Sequence, residues 1–176
     1  MPAWFDLYTY DLPVTPPPAG EEDEEGIRQS IMALDTLLTD TIAESGVDPS
    51  RIVLGGISQG GAMSLLTGLT IPTKLGGLIA LSSRLPLRYK FKSMTSSHAS
   101  SIPIFWGHGT ADRIVTLELG QASAQYLINE VGIPRSDPPG APQGLSFLEY
   151  SNLEHRLRDD ELLDVMAWLK KIIPAQ

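Results

Sequence analysis

The sequence predicts an α/β fold, a mostly parallel sheet flanked by helices. Short apolar runs of strand length alternate with longer stretches of helical periodicity. Most of those runs are apolar on both faces, as strands buried between two layers of helices are. A chain of 176 residues that is 42% apolar and 19% charged fits one packed domain, residues 1–176.

The elements can be read in order. Residues 4–8 read as a short extended piece. Residues 12–20, LPVTPPPAG, hold four prolines and form neither a helix nor a central strand. The acidic run EEDEE at 21–25 reads as a solvated patch, placed where acids suit a helix dipole. Ile27, Ile31, Leu34, Leu38 and Ile42 recur at helical spacing, so 24–44 is an amphipathic helix stopped by Ser45-Gly46. After an Asp48-Pro49 turn, 51–55 (RIVLG) is a buried strand. A small-residue stretch, 56–61, leads into a helix-like run at 62–69. Residues 77–81 (GLIAL) form the second strand. The Ser-rich segment 82–101 reads as a long mobile loop, with Arg84, Arg88, Lys90 and Lys92 on a solvated face. Residues 102–106 (IPIFW) form the third strand. A helix over 118–131 would turn Leu119, Ala122, Tyr126 and Leu127 to one side. A Pro/Gly-rich loop at 136–144 precedes the fourth strand, 145–150, with Leu145, Phe147 and Glu149 on one face. A last helix, 160–173, would turn Leu163, Met166, Ala167 and Ile173 inward.

Composition excludes several functions. Thirteen Lys+Arg against 21 Asp+Glu leave a net charge of −8, which argues against nucleic acid as a partner. With no cysteine there is no disulfide, Cys nucleophile or Cys-ligated metal. The three histidines lack metal-motif spacing. No run approaches the ~18–20 apolar residues of a membrane span, and the N-terminus lacks a secretory pattern. The expectation is a soluble protein of the cytoplasm, or of the nucleus, needing no cofactor.

Gly56-Ile57-Ser58-Gln59-Gly60 matches G-x-S-x-G between an expected strand and an expected helix. That is the setting of a nucleophile elbow, where small neighbours let strand and helix approach closely. The helix N-terminus would favour an oxyanion beside the serine. A Gly-rich phosphate loop is the rival, but no Lys-Ser/Thr pair follows. A serine needs a base. Asp112 follows the third strand and His155 the fourth, in the order Ser, acid, His, so all three loops fall at the carboxyl edge of the sheet. Taken singly, Asp112 reads as a turn aspartate and His155 as a loop histidine; together with Ser58 they form a triad. His98 lies at the wrong edge. His108 precedes Asp112 and reads as bonded to nearby backbone, while Asp137, Asp159 and Asp160 read as turn or cap residues. Leu85 and Pro86, with Leu87, are candidates for an apolar acyl groove.

These stretches resemble the acyl-protein thioesterase and phospholipase-carboxylesterase family of α/β-hydrolases. The likeness rests on MPAWFDL (1–7), EEGI (24–27), RIVLGGISQGGAMSL (51–65), GLIALSSRLP (77–86), PIFWGHGTADRIV (103–115) and the His155 loop. It implies hydrolysis of acyl thioesters on S-acylated proteins, or of lysophospholipids and small esters. It carries over Ser58 as nucleophile, Asp112 as orienting acid, His155 as base and the Gln59 N–H as oxyanion donor. Two departures stand out. Glu154 and Arg156-Leu157-Arg158 surround His155 where the family has small residues. The family's N-terminal strands and His-Gly-rich loop, which supplies a second oxyanion N–H, have no counterpart before Met1. The resemblance therefore implies an N-terminally truncated hydrolase with an unpaired sheet edge open to a second copy. The alternative is a catalytically impaired or non-catalytic binding protein, or a fragment.

Overall fold

The computed structural model describes residues 3–7, 13, 14, 18 and 20–173. The proline-rich segment and the end of the 4–8 piece therefore fall partly outside it. Residues 4–7 do not form a strand.

Four strands, β1 (Val53–Ile57), β2 (Gly77–Leu81), β3 (Ile104–Gly109) and β4 (Leu145–Tyr150), pair in chain order and all in parallel. Side chains alternate across the sheet. Leu78, Ala80, Ile104, Trp106 and Leu145 enter one core, and Ile79, Leu81 and Phe105 the other. This is why the strands read as apolar on both faces. The outer edge of β1 carries no strand among the described residues, and its residues are half-buried or exposed where those of β2 and β3 are buried.

Two strands start later than the hydropathy suggests. Pro49–Arg51 and Ala99–Ser101 are 3₁₀ turns that take up the chain before β1 and β3. At the far end, Gly107, His108 and Gly109 stay in the ladder against β4, although a reading by hydrophobicity ends the strand at Trp106.

The larger core holds α1 (Glu24–Ser45), α2 (Gln59–Thr70), α3 (Arg88–Met94) and α4 (Leu117–Tyr126). Asp23 caps α1 by accepting the Gly26 N–H at 3.0 Å, and Gly46 closes it at φ 67°. The acidic run is more than a solvated patch. Glu22 forms a buried ion pair with Arg84 at 2.7 Å, Glu24 pairs with Lys90, and Glu25 with Arg28. Segment 82–101, expected as a mobile loop, is therefore pinned: it holds α3, buries Phe91, Leu85 and Leu87, and meets the acids through its cations.

In α4 the buried residues are Gly120, Ser123 and Ala124, with Leu127 in the π-helical turn Leu127–Val131 that follows. Leu119 and Tyr126 are only half-buried and Ala122 is exposed. Size sets this face: a Cβ on Gly120 would stand 2.5 Å from His108 Nδ1. Leu145, Phe147 and Glu149 do share one face, lining a cavity of about 490 Å³ beside α4.

On the opposite face α5 (Asp159–Ile172) is the one helix that covers the sheet among the described residues, with Val165 and Trp168 buried and Trp168 against Phe105 at 5.8 Å between ring centroids. The expected inward face is wrong by a rotation. Leu163 and Met166 are 59% and 49% exposed, Ala167 is exposed, and Ile173 is half-buried. Glu161 turns in instead. It is fully buried over Gly107, and neither carboxylate oxygen has a hydrogen-bond partner among the described residues. Among the described residues, no helix is long and apolar enough to cross a membrane.

Burial, aided by Asp160, pushes the Glu161 carboxyl up to about 7. The folded state then holds this proton more tightly than the unfolded chain does. Stability present at acid pH is lost as pH rises through the window from the ordinary glutamate value to about 7. Urea unfolding of Glu161→Gln and wild type across that window should show the variant gaining on wild type by roughly 2–3 kcal/mol. Parallel pH profiles would contradict the buried, unpaired carboxyl.

Candidate active site

Ser58 lies between β1 and α2, at φ 56° and ψ −122°. A non-glycine residue at positive φ is strained and persists only where its surroundings hold it. Three contacts do so. The Ser58 N–H donates to Leu81 O at 2.9 Å, its C=O accepts from Ala62 N–H at 3.0 Å, and the same carbonyl accepts from Ser83 Oγ at 2.9 Å. Ser58 occupies the N-cap of α2, where a serine normally spends its hydroxyl on the helix. Here it makes no cap hydrogen bond. The first-turn N–H groups of α2, from Gln59 on, have no partner within the helix's own ladder.

The glycine requirement differs from the motif. A Cβ on Gly56 would stand 2.5 Å from the Gly60 carbonyl carbon, and one on Gly61 would stand 2.8 Å from Gly56 O. A Cβ on Gly60 would meet nothing within 4 Å. The tight approach is thus carried by Gly56 and Gly61.

Asp112 follows β3 and is 5% exposed. Its Oδ1 accepts the N–H groups of Ile114 and Val115 at 2.9 and 3.0 Å, and its Oδ2 meets His155 Nδ1 at 2.8 Å. Burial raises its pKa, but the His155 hydrogen bond and the two backbone N–H groups together outweigh burial and hold it below the ordinary aspartate value. Asp112 therefore stays ionised and fixes the imidazole by Nδ1. Among the described residues no hydrogen bond joins Ser58 Oγ to His155. Such contacts are often long without substrate and tighten on binding.

The neighbours of His155 are neutralised among themselves. Arg156 pairs with Glu154 at 3.2 Å, and Arg158 pairs with Asp160 at 2.6 Å and donates to Ser151 O. His108 is the buried backbone-bonded histidine expected, with Nε2 at 2.9 Å from Val115 O, and burial holds it below the usual histidine value. His98 lies in the turn ahead of β3, at the opposite edge.

None of the three acyl-groove candidates is exposed in this structure. Leu85 is 2% exposed within the core, and Pro86 and Leu87 are buried beside it. The small cavity at Ser58 is lined instead by Phe5, Leu7, Val14, Ala62, Arg84 and Val115. A larger one, about 480 Å³, opens beside Asp112 against Pro13, Thr110, Ile114 and Leu117. Sequence reasoning also missed the Gln59 side chain. Its Oε1 accepts the Trp4 N–H at 3.2 Å and its Nε2 donates to Phe5 O at 3.1 Å, tying residues 4–5 over the elbow. Nothing local marks this contact, which spans more than fifty positions.

The parallel sheet with a strained serine turn at its carboxyl edge defines an α/β-hydrolase. The Phospholipase/Carboxylesterase family model matches residues 1–173, and the chain belongs to this family of hydrolases. It is 37% identical to acyl-protein thioesterase 1 of Cryptococcus neoformans var. neoformans over 175 residues, 98% of this chain and 72% of that protein. It is likewise 37% identical to acyl-protein thioesterase 1 of Mycosarcoma maydis, covering all of this chain and 71% of the relative. Among solved structures, Arabidopsis thaliana SOBER1 superposes with a TM-score of 0.81 at 30% identity, covering 97% of this chain and 74% of that one. Zea mays acyl-protein thioesterase 2 gives 0.74 at 25%, covering 97% and 72%.

Two alanine variants separate the glycines. Gly56→Ala should lower the stability by about 2 kcal/mol or more, because backbone must move. Gly60→Ala, inside the first turn of α2 with open space around it, should be neutral or stabilising by up to about 1 kcal/mol. Thermal unfolding reads both, and equal losses would contradict the packing described.

Proposed function

We propose that the chain hydrolyses acyl thioesters and esters of the S-acylated-protein or lysophospholipid type through Ser58, His155 and Asp112. The observation that carries this reading is the 2.8 Å bond from His155 Nδ1 to the buried Asp112, at the sheet edge where Ser58 is held in its elbow. The family and the relatives' names support the substrate class.

His155 takes the Ser58 proton through Nε2 as Oγ attacks the acyl carbonyl. Asp112 holds the tautomer and stabilises the imidazolium. The Gln59 N–H meets the tetrahedral oxyanion. The thiolate or alkoxide leaves with the proton from His155, and the acyl group stays on Ser58. Water, deprotonated by His155, then attacks the acyl-enzyme, and His155 returns that proton to Ser58 Oγ as the ester bond breaks and the free acid is released. The cavity beside Asp112, walled by Ile114, Leu117 and Pro13, is placed to take the acyl chain.

Turnover of a series of acyl thioesters tests the reading. Ser58→Ala and His155→Gln should abolish it to within about 10³–10⁴ of the uncatalysed rate, and Asp112→Asn should lower kcat by about 10⁴. A folded wild-type chain that turns over no thioester or ester, or a Ser58→Ala variant as active as wild type, would overturn it and favour a binding protein.

A further inference from the structure

The cavity at Ser58 has one charged side chain, and apart from Ser58 and Gln59 the rest of its wall is apolar. Arg84 shares it with Phe5, Leu7, Val14, Ala62 and Val115. The Arg84 side chain is only 8% exposed and that of Glu22, its partner at 2.7 Å, only 9%. Burying such a pair is costly, and apolar residues of similar size often serve stability as well or better.

The local fold has other ties. Glu22 also accepts the Leu87 N–H at 2.7 Å, Ser123 Oγ accepts the Leu85 N–H at 3.1 Å, and Ser83 Oγ donates to Ser58 O. The segment after β2 is therefore held at three points that do not involve the guanidinium. A guanidinium is permanently charged and carries five N–H donors in a planar fork, so it can hold Glu22 through Nη1 and a second acceptor at once. The cavity is narrow, about 30 Å³. A compact oxygen group fits there, and a long alkyl tail does not.

We propose that Arg84 is a specificity-determining residue of the Ser58 site, where it receives a carboxylate carried by the substrate close to its scissile carbonyl. The proposal rests on the reading of Ser58 as the nucleophile. It adds a substrate feature, an anionic oxygen on the acyl half or on the leaving half, that an apolar acyl pocket alone does not select. Glu22 sets the orientation of the fork from the far side.

The test uses two matched pairs of thioesters. The first pair is the N-acetylcysteamine thioesters of glutarate and of its neutral monoamide, which place the charge on the acyl half. The second is the butyryl thioesters of 3-mercaptopropionate and of its amide, which place it on the leaving half. Within each pair the carboxylate-to-amide ratio of kcat/KM is compared for wild type, Arg84→Lys, Arg84→Gln and Glu22→Gln/Arg84→Gln. The double variant leaves no orphaned buried carboxylate, so it keeps the test open if a single variant fails to fold. Wild type should prefer the carboxylate in one pair. That preference should fall about tenfold to a hundredfold in the double variant, the loss expected for one charge-assisted hydrogen bond, with Arg84→Lys in between. The pair that responds says which half carries the charge.

A second arm does not need turnover. Calorimetry of the glutaryl and 3-mercaptopropionate thioesters on Ser58→Ala, with and without Glu22→Gln/Arg84→Gln, should show carboxylate-dependent binding lost with Arg84. Ratios unmoved in both pairs, or equal binding with and without Arg84, would overturn the proposal. A chain that binds the carboxylate through Arg84 yet hydrolyses nothing would sink the nucleophile reading, and with it the role of Arg84 in substrate choice, leaving Arg84 only as a carboxylate-binding residue.

Discussion

The close approach of two backbones, Gly56 at the end of β1 and Gly60 at the start of α2, is the constraint from which the site follows. No side chain can stand between them at Gly56. Because they touch, the chain must reverse within a single residue, and Ser58 takes a backbone conformation that L-residues avoid. The strain has two consequences. The serine sits at a helix N-cap without bonding to the helix, so its hydroxyl is kept for other use. The serine also stands at the N-terminus of α2, the end of a helix that favours negative charge. The ladder bond to Leu81 and the Ser83 hydroxyl hold that arrangement from the β2 side.

Everything else at the carboxyl edge is positioned against that turn. Parallel pairing brings the ends of all four strands to one side, so Asp112 and His155 meet although 43 positions separate them. Asp112 spends one oxygen on its own loop and the other on His155, which makes it a brace as well as an electrostatic partner. Residues 4–5 are drawn over the site by the Gln59 side chain, and the start of α1 is drawn to it by Glu22 and Arg84. The acidic run and the cations after β2 look unrelated along the chain. In space they form the joint between α1 and the floor of the site.

Much of this was legible in the sequence because it is local and periodic. Strands β2 and β4, helix α1 with its Gly46 stop, and the serine turn are written in neighbouring residues. Strand order restricts which loops can share the serine's edge of the sheet, which is why Asp112 and His155 stand out in the sequence as its candidate partners; the structure brings those two together. Less legible features depend on partners far along the chain. The inward face of α5 was misread because Glu161 is buried over Gly107 while Leu163 and Met166 are exposed, the reverse of what hydrophobicity suggests. Ala122 was turned inward by pattern, yet the contact with His108 demands the side of α4 that carries Gly120. Leu85 and Pro86 were assigned to a groove on apolar character alone, which a core residue shares with a ligand contact. Arg84 was assigned to solvent because its partner, Glu22, lies 62 positions away.

On the reading proposed above, the strained turn makes Ser58 an activated hydroxyl. Mass spectrometry of the folded protein after brief exposure to a fluorophosphonate tests it most directly, since that reagent modifies a serine whose proton is taken by a base. A single adduct is expected on the peptide carrying Ser58, lost in His155→Gln although the serine remains. An adduct on another residue, or none on a chain shown by circular dichroism to be folded, would contradict it.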